Sequence, residues 1–229
     1  GDVNYPGGAY CGGQALFDGQ VGDFFTTKSD NGQPIGSFFL LQEDGIFQNA
    51  AEIAASAQPG AKPGDLRYKD ISGPDGKPDG KIDDNDRAFS GSYQPKITYG
   101  INGSLGYKNF DLNFGGYGTQ GSKIYNGKKA LTGTASTDNI ETSVAVGRWT
   151  PNNPSTKIPR ATLDRQPAST YFLENGDFFR MNNIALGYTF KVDILSKARS
   201  TILRIYVTSQ NLFTITPYSG FTPEIFKGD

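Results

Sequence analysis

The sequence predicts an all-β protein built on long antiparallel strands, and three observations carry that expectation. Period-two alternation of apolar and small or polar residues runs through 96–120 and again through 183–210. The composition is turn-rich and aromatic, with 30 Gly, 16 Phe and 12 Tyr but only 36% hydrophobic residues. The connections alternate in length, short at 106–109 and 191–201 and long at 118–178 and on either side of the two hairpins.

The first 35 residues are glycine-rich and polar and read as loop with little regular structure. A short apolar run at 37–42, SFFLLQ, reads as a strand. Helix-forming composition at 48–57, QNAAEIAASA, is stopped by Gln58, Pro59 and Gly60 and predicts a short helix. DLRYKD at 65–70 reads as another short strand that leads into an acidic loop.

The centre of the chain is the hairpin KITYGINGSLGYKNFDLNFGGYGTQ at 96–120. Ile97, Tyr99, Ile101, Gly103, Leu105 and Tyr107 share one face, and Thr98, Gly100, Asn102, Ser104 and Gly106 share the other. After Lys108 and Asn109 the pattern resumes in the opposite sense, with Phe110, Leu112 and Phe114 against Asp111, Asn113 and Gly115. A long segment rich in Gly, Thr, Asn and Pro follows at 118–174, with a short helix expected within 138–149 and ended by Pro151. The second hairpin repeats the first: Ile184, Leu186, Tyr188 and Phe190 alternate with Asn183, Ala185, Gly187 and Thr189. Leu203, Ile205 and Val207 then alternate with Arg204, Tyr206, Thr208 and Gln210. The division this gives is 1–95 as a loop region with a short strand, a short helix and the acidic loop, and 96–229 as two strand hairpins with long loops.

Two architectures accommodate this pattern. A run of about eleven alternating residues is longer than the usual strand of five or six and close to what a tilted strand needs to cross a bilayer. Small and amide residues on the second face suit a wet lumen, as in outer-membrane barrels. A soluble sandwich with one solvated face is the other. In the barrel the short turns lie in the periplasm and the long loops outside, with Tyr107, Phe110, Tyr188 and Phe190 as an aromatic girdle. In the sandwich those four are core aromatics.

Composition excludes several classes. With 22 Lys plus Arg against 23 Asp plus Glu, net charge gives no reason to expect nucleic acid or an anionic membrane surface. A single cysteine, Cys11, allows neither an internal disulfide framework nor a multi-cysteine metal site. No apolar run of about eighteen residues is present for a transmembrane helix, and no leader segment is visible at Gly1. The chain reads as an internal stretch of something longer. With no histidine in the sequence to activate a nucleophile, no enzyme is expected.

Several residues are candidates for chemistry. The acidic loop at 70–86 offers oxygen ligands for calcium, with glycine for the bend. Asp75, Asp79, Gly80, Asp83 and Asp86 fall in the spacing of a calcium loop, although Lys77 and Asp86 stand where an oxygen ligand and a glutamate are usual. The competing reading is a solvated turn whose Gly and Asp residues shape the backbone. Gly116, Gly118 and Gly121 spell GxGxxG, but without a βαβ unit the motif reads as the exit of a strand. Glu174 and Asp177 form a conceivable glycosidase pair and read more simply as turn residues. Arg204 on the polar face of its strand and Arg180 near the start of the strand opposite either project into a lumen, toward substrate or plug, or pair with a neighbouring strand. Trp149 either stacks on a sugar or packs its loop.

Five ordered blocks add a family resemblance. They are GDLRYKDISGPDGKPDGKIDDNDR (64–87), PKITYGINGSLGYKNFDLNFGGYGTQGSKIYN (95–126), RWTPNNPSTKIPR (148–160), FLENGDFFRMNNIALGYTF (172–190) and LRIYVTSQNLFTITPYSGFTPE (203–224). Together with GQPIGSFFLLQEDGIFQNAAEI (32–53) they resemble the C-terminal part of the SusC-like TonB-dependent outer-membrane transporters. The resemblance implies a fragment of a large antiparallel transmembrane β-barrel with long extracellular loops carrying short helices, set in outer-membrane lipid. It further implies import of oligosaccharides or peptides with a SusD-like surface lipoprotein, driven by TonB through an N-terminal part outside this stretch. The plug and the final closing strand are expected outside it too, so that closure of the pore belongs to the parent chain. Within the acidic loop, the family pattern treats 74–78 as an insertion and selects Asp70, Ser72, Asp79, Gly80 and Asp86 around a structural calcium ion. The alternative to all of this is a secreted, calcium-stabilised β-sandwich that binds carbohydrate.

Overall fold

The computed structural model describes residues 9–11, 26–132, 140–162, 166–191 and 202–224. Among these the chain is strand-dominated and antiparallel, and it divides into two units that interleave along the sequence. One unit comprises Gln94–Ser122 and Asn175–Tyr218. The other comprises Gly1–Tyr93, Lys123–Glu174 and Ser219–Asp229. The first crossing between the units falls between Tyr93 and Gln94, and the segment Lys123–Glu174 belongs to the same unit as Gly1–Tyr93.

The hairpin unit is a single four-stranded sheet. Its strands are β7 (Ile97–Tyr107), β8 (Phe110–Gln120), β11 (Phe178–Lys191) and β12 (Ile202–Ile215), in the order β12-β11-β8-β7. Tyr107 pairs with Phe110, Leu105 with Leu112 and Gly103 with Phe114, so the apolar residues of both strands share one face, as the alternation requires. The turn is two residues long, and Lys108 adopts φ 55°, the left-handed conformation such hairpin turns require. β11 meets β8 from Tyr188 opposite Phe110 to Phe178 opposite Thr119. Its register shifts between Met181 and Asn183 against both neighbours. This bulge at Asn182 reverses the alternation, so that Met181 and Phe179 continue the apolar face that Ile184 and Leu186 began.

The second unit is built from short strands. β1 (Ala9–Cys11), β2 (Thr27–Ser29), β3 (Ser37–Leu41) and β6 (Arg87–Ser92) form one sheet in the order β1-β2-β3-β6. β4 (Glu43–Ile46) pairs with β5 (Leu66–Tyr68), and β9 (Lys123–Tyr125) with β10 (Leu173–Asn175). The region expected to be loop at 1–35 therefore contains β1 and β2. TKS in β2 carries no apolar alternation, and its strand conformation comes from pairing with SFFLL in β3. β3 feeds two cores. Phe38 and Leu40 join Tyr125, Ala168 and Phe172, while Leu41 joins Ile46, Leu66, Tyr68 and Trp149.

Three short α-helices occur among the described residues: α1 (Ala50–Ala54), α2 (Gly127–Thr132) and α3 (Thr142–Gly147). The helix expected over 48–57 is confined to α1. Asn49 caps it by accepting from the Glu52 N–H, and Glu52 reaches back to the Gln48 N–H. The helix expected within 138–149 corresponds to α3. No described helix is long and apolar enough to cross a membrane, a fact that does not bear on crossing by strands.

Candidate functional site: the two faces of the long-stranded sheet

Among the described residues nothing covers the centre of the apolar face of the four-stranded sheet. Leu105, Leu186, Ile205 and Val207 are 50% to 73% exposed, although all four stand well inside their strands. An uncovered apolar face of this extent on a soluble protein is a partner or membrane surface. Aromatic rows bound it at both ends. At the hairpin end the Phe110 and Tyr188 rings lie 4.6 Å apart and Tyr188 and Phe190 4.7 Å apart. At the other end Tyr99 stacks on Phe179 at 6.4 Å, and Phe179 meets Phe213 at 6.5 Å. The eight residue steps from Tyr99 to Tyr107 extend about 27 Å along a strand, or about 20 Å in height at a tilt near 40°, against an apolar band of ~25 Å in outer-membrane barrels.

Glycines on this face are overlaid by rings from the neighbouring strand. A Cβ on Gly103 would meet Phe114 ring carbons at 2.3 to 3.0 Å, and one on Gly118 would meet the Tyr99 ring and hydroxyl at 2.6 to 2.7 Å. Gly116 and Gly118 thus serve close packing within β8. Gly121, the third glycine of GxGxxG, leads into β9 rather than a helix, so the motif has no phosphate-binding geometry.

The opposite face is polar and cross-linked. The Ser104 hydroxyl donates to Asn113 Oδ1 at 2.7 Å, and Arg180 Nε donates to Thr214 Oγ1 at 2.9 Å. Arg204 donates from Nε and Nη2 to the two carboxylate oxygens of Asp111 at 3.2 and 2.5 Å. Both arginines lie on the polar face, Arg204 as the alternation predicts and Arg180 because the bulge at Asn182 reverses it, and both are engaged with neighbouring strands.

The other candidates are structural in their contacts. Trp149 is only 9% exposed and donates from Nε1 to Gln48 Oε1 at 3.0 Å. Its ring lies against Gly64, where a Cβ would stand 2.4 Å from it. It packs its own unit and offers no stacking face. Glu174 accepts from Asn126 Nδ2 and from the Ser219 N–H and hydroxyl. Asp177 accepts the Gly121 N–H at 2.6 Å. Both carboxylates fasten turns.

In the acidic loop the carboxylates face the backbone. Asp86 is fully buried. Its Oδ1 accepts from the Ile71 and Ser72 N–H groups at 2.8 and 3.1 Å, and its Oδ2 from the Asp83 N–H at 2.9 Å. Asp70 accepts from the Asp79 and Gly80 N–H groups, and Asp79 from Lys81. Asp75 lies exposed at the tip. Calcium requires six to eight oxygens directed at one point. Asp70, Asp75, Asp79 and Asp86 do not converge in this way, and no group of three or more metal-ligating side chains gathers among the described residues. Sequence spacing placed these residues in one loop, while the N–H groups they bind carry no sequence signal of their own.

No family model matches the chain. It is 30% identical over 218 residues to TonB-dependent receptor P3 of Formosa agariphila, covering 93% of this chain and 21% of that protein. It is 28% identical over 174 residues to TonB-dependent receptor SusC of Bacteroides thetaiotaomicron, covering 70% of this chain and 17% of that one. The chain spans about a fifth of the length of the curated relatives it matches. Among solved structures, the RagAB peptide importer in its open-open state superposes with a TM-score of 0.64 at 22% identity, over 88% of this chain and 21% of that one. At that identity the likeness speaks for the fold. By sequence and by fold the chain corresponds to a barrel segment of the SusC-like TonB-dependent receptors, which are proteins of the Gram-negative outer membrane and not enzymes.

Proposed function

We propose that this chain supplies four wall strands, and the loop unit that interleaves with them, to a TonB-dependent transporter that imports oligosaccharides or peptides together with a SusD-like surface lipoprotein. The observation that carries the reading is the uncovered apolar face of β7, β8, β11 and β12, bounded by aromatic rows. Lipid satisfies such a face without a second protein layer, and closure of the hydrogen-bond ladder by the other strands of the parent barrel would satisfy the edge backbone. The polar face then lines the lumen, where Asp111 and Arg204 lie. In this reading the Lys108–Asn109 turn is periplasmic and the loop unit extracellular. TonB and the plug act through other parts of the parent chain. Similarity to receptors named TonB-dependent, SusC among them, supports this reading.

The test is uptake by cells that express the parent protein. Accumulation of labelled oligosaccharide or peptide is expected to stop when TonB is deleted and to fall when the SusD-like partner is deleted. Recovery of the parent protein from the soluble fraction without detergent would overturn the reading.

A further inference from the structure

The loop unit contains a cavity of about 230 Å³ to which α2, α3 and the turn at Tyr171 contribute. Three lysines reach it: Lys128, Lys129 and Lys157. Lys128 is held in an ion pair by Glu141 and lies 4.6 Å over the Phe221 ring. Lys129 Nζ donates to the Tyr171 carbonyl oxygen at 2.7 Å and sits 3.8 Å over the Tyr171 ring. An ammonium has three donors, and among the described residues one of them is committed to an oxygen acceptor. Lys157 stands exposed at the rim, and among the described residues its ammonium enters no ion pair.

Burial lowers the pKa of Lys129, which the Glu174 and Glu43 carboxylates partly oppose. Glu174 is itself committed to Asn126 and Ser219, and Glu141 is taken by Lys128. Among the described residues the half-buried Lys129 ammonium directly contacts a carbonyl and a ring, with Glu174 and Glu43 opposing its burial only in part, and an anion seated beside it adds compensation. The remaining wall is apolar, from Val144, Ile158 and the Tyr171 ring. The side-chain amide of Asn126 and the hydroxyl of Ser219 are already bonded to each other and to Glu174. A sugar ring would find few free partners for its hydroxyls here, whereas an aliphatic side chain needs none.

We propose that this cavity binds the free C-terminal carboxylate of a peptide that ends in an apolar residue. Lys129 and Lys157 take the carboxylate, and Val144, Ile158 and Tyr171 enclose the terminal side chain. The assignment rests on the transporter reading above and narrows its substrate class.

The test is calorimetry on the full-length receptor in detergent, with Ala-Ala-Leu as the free acid, the same tripeptide as its C-terminal amide, and a glucuronic acid disaccharide. The free acid is expected to bind and the amide to bind about tenfold or more weakly, the loss that follows removal of a charged hydrogen-bond partner. Lys157→Met is expected to weaken the free acid by a similar factor, and Lys157→Arg to retain it. Equal binding of acid and amide, no binding of the acid, an unchanged Lys157→Met variant, or binding of the disaccharide in place of the tripeptide each overturns the proposal. Membrane fractionation of the same preparation reports separately on the transporter reading. A receptor that needs detergent yet ignores the carboxylate overturns only the cavity assignment, and one that is freely soluble overturns the transporter itself.

Discussion

Arg204 on β12 grips Asp111 on β8 across the intervening strand β11, and it does so over Gly187. A Cβ on Gly187 would lie 2.6 Å from Asp111 Oδ1 and 2.8 Å from Arg204 Nη2. The glycine is thus the space through which two non-adjacent strands are joined. Gly187→Leu is expected to displace the pair and cost about 1–3 kcal/mol, the usual penalty of overpacking. Arg204→Ala is expected to cost less, because the partners are 47% and 31% exposed and solvent screens them. Urea unfolding of the full-length protein in lipid vesicles checks the order, and the reverse order would show that the bridge and not the space matters.

The apolar face yields a depth-dependent expectation. Leu186→Arg, between the aromatic rows, should cost about 2–4 kcal/mol in a bilayer, whereas Tyr107→Arg at the hairpin edge should cost about 0–1 kcal/mol. Equal costs in vesicle unfolding would mean that this face does not meet lipid.

Asp86 accepts three backbone N–H groups with no exposure to water. Asp86→Ala leaves those donors unsatisfied and is expected to destabilise the loop unit by about 3 kcal/mol. Hydrogen exchange at Ile71, Ser72 and Asp83 should rise in the variant, and protection equal to the unaltered protein would refute the assignment.

Calcium at 70–86 is the proposal the sequence makes for the same loop, and titration decides it. With the oxygens of Asp70 and Asp86 turned toward N–H groups, addition of calcium is expected to leave Tm unchanged. A calcium-dependent rise in Tm that Asp79→Asn abolishes would restore the ion to the loop.

Tyr171 gives a pH dependence with a definite sign. Burial pushes its hydroxyl pKa up to about 12, with Glu43 adding to the effect. The folded pKa lies above the unfolded value near 10. The tyrosine's contribution is therefore fully present below pH 10 and is lost as pH rises from 10 toward 12. Tyr171→Phe should flatten this limb of an alkaline denaturation curve, and an identical limb in the variant would contradict it.

The long strands were legible because alternation states both conformation and face. Tyr107 opposite Phe110 follows from the pattern and a two-residue turn alone. The bulge at Asn182 was not legible, because MNN carries no residue that marks an extra position. The burial of Trp149 depends on Gly64 and Gln48, far off in sequence. The loop unit as a whole was concealed for the same reason. Its strands are three to six residues long, and β9 pairs with a β10 lying some fifty residues on. Such pairing is specified by long-range packing, which leaves little local period to read. The engagement of the Asp70 and Asp86 carboxylates was hidden because backbone N–H groups are present everywhere.

β3 lies between two cores, with Leu40 in one and its neighbour Leu41 in the other. A slip by a single residue would send each side chain to the wrong half of the unit, where the cavity is shaped for a different set of neighbours. The strand therefore acts as its own proofreader: a mis-threaded chain loses both cores at once, and partial credit for a near miss is not available to it.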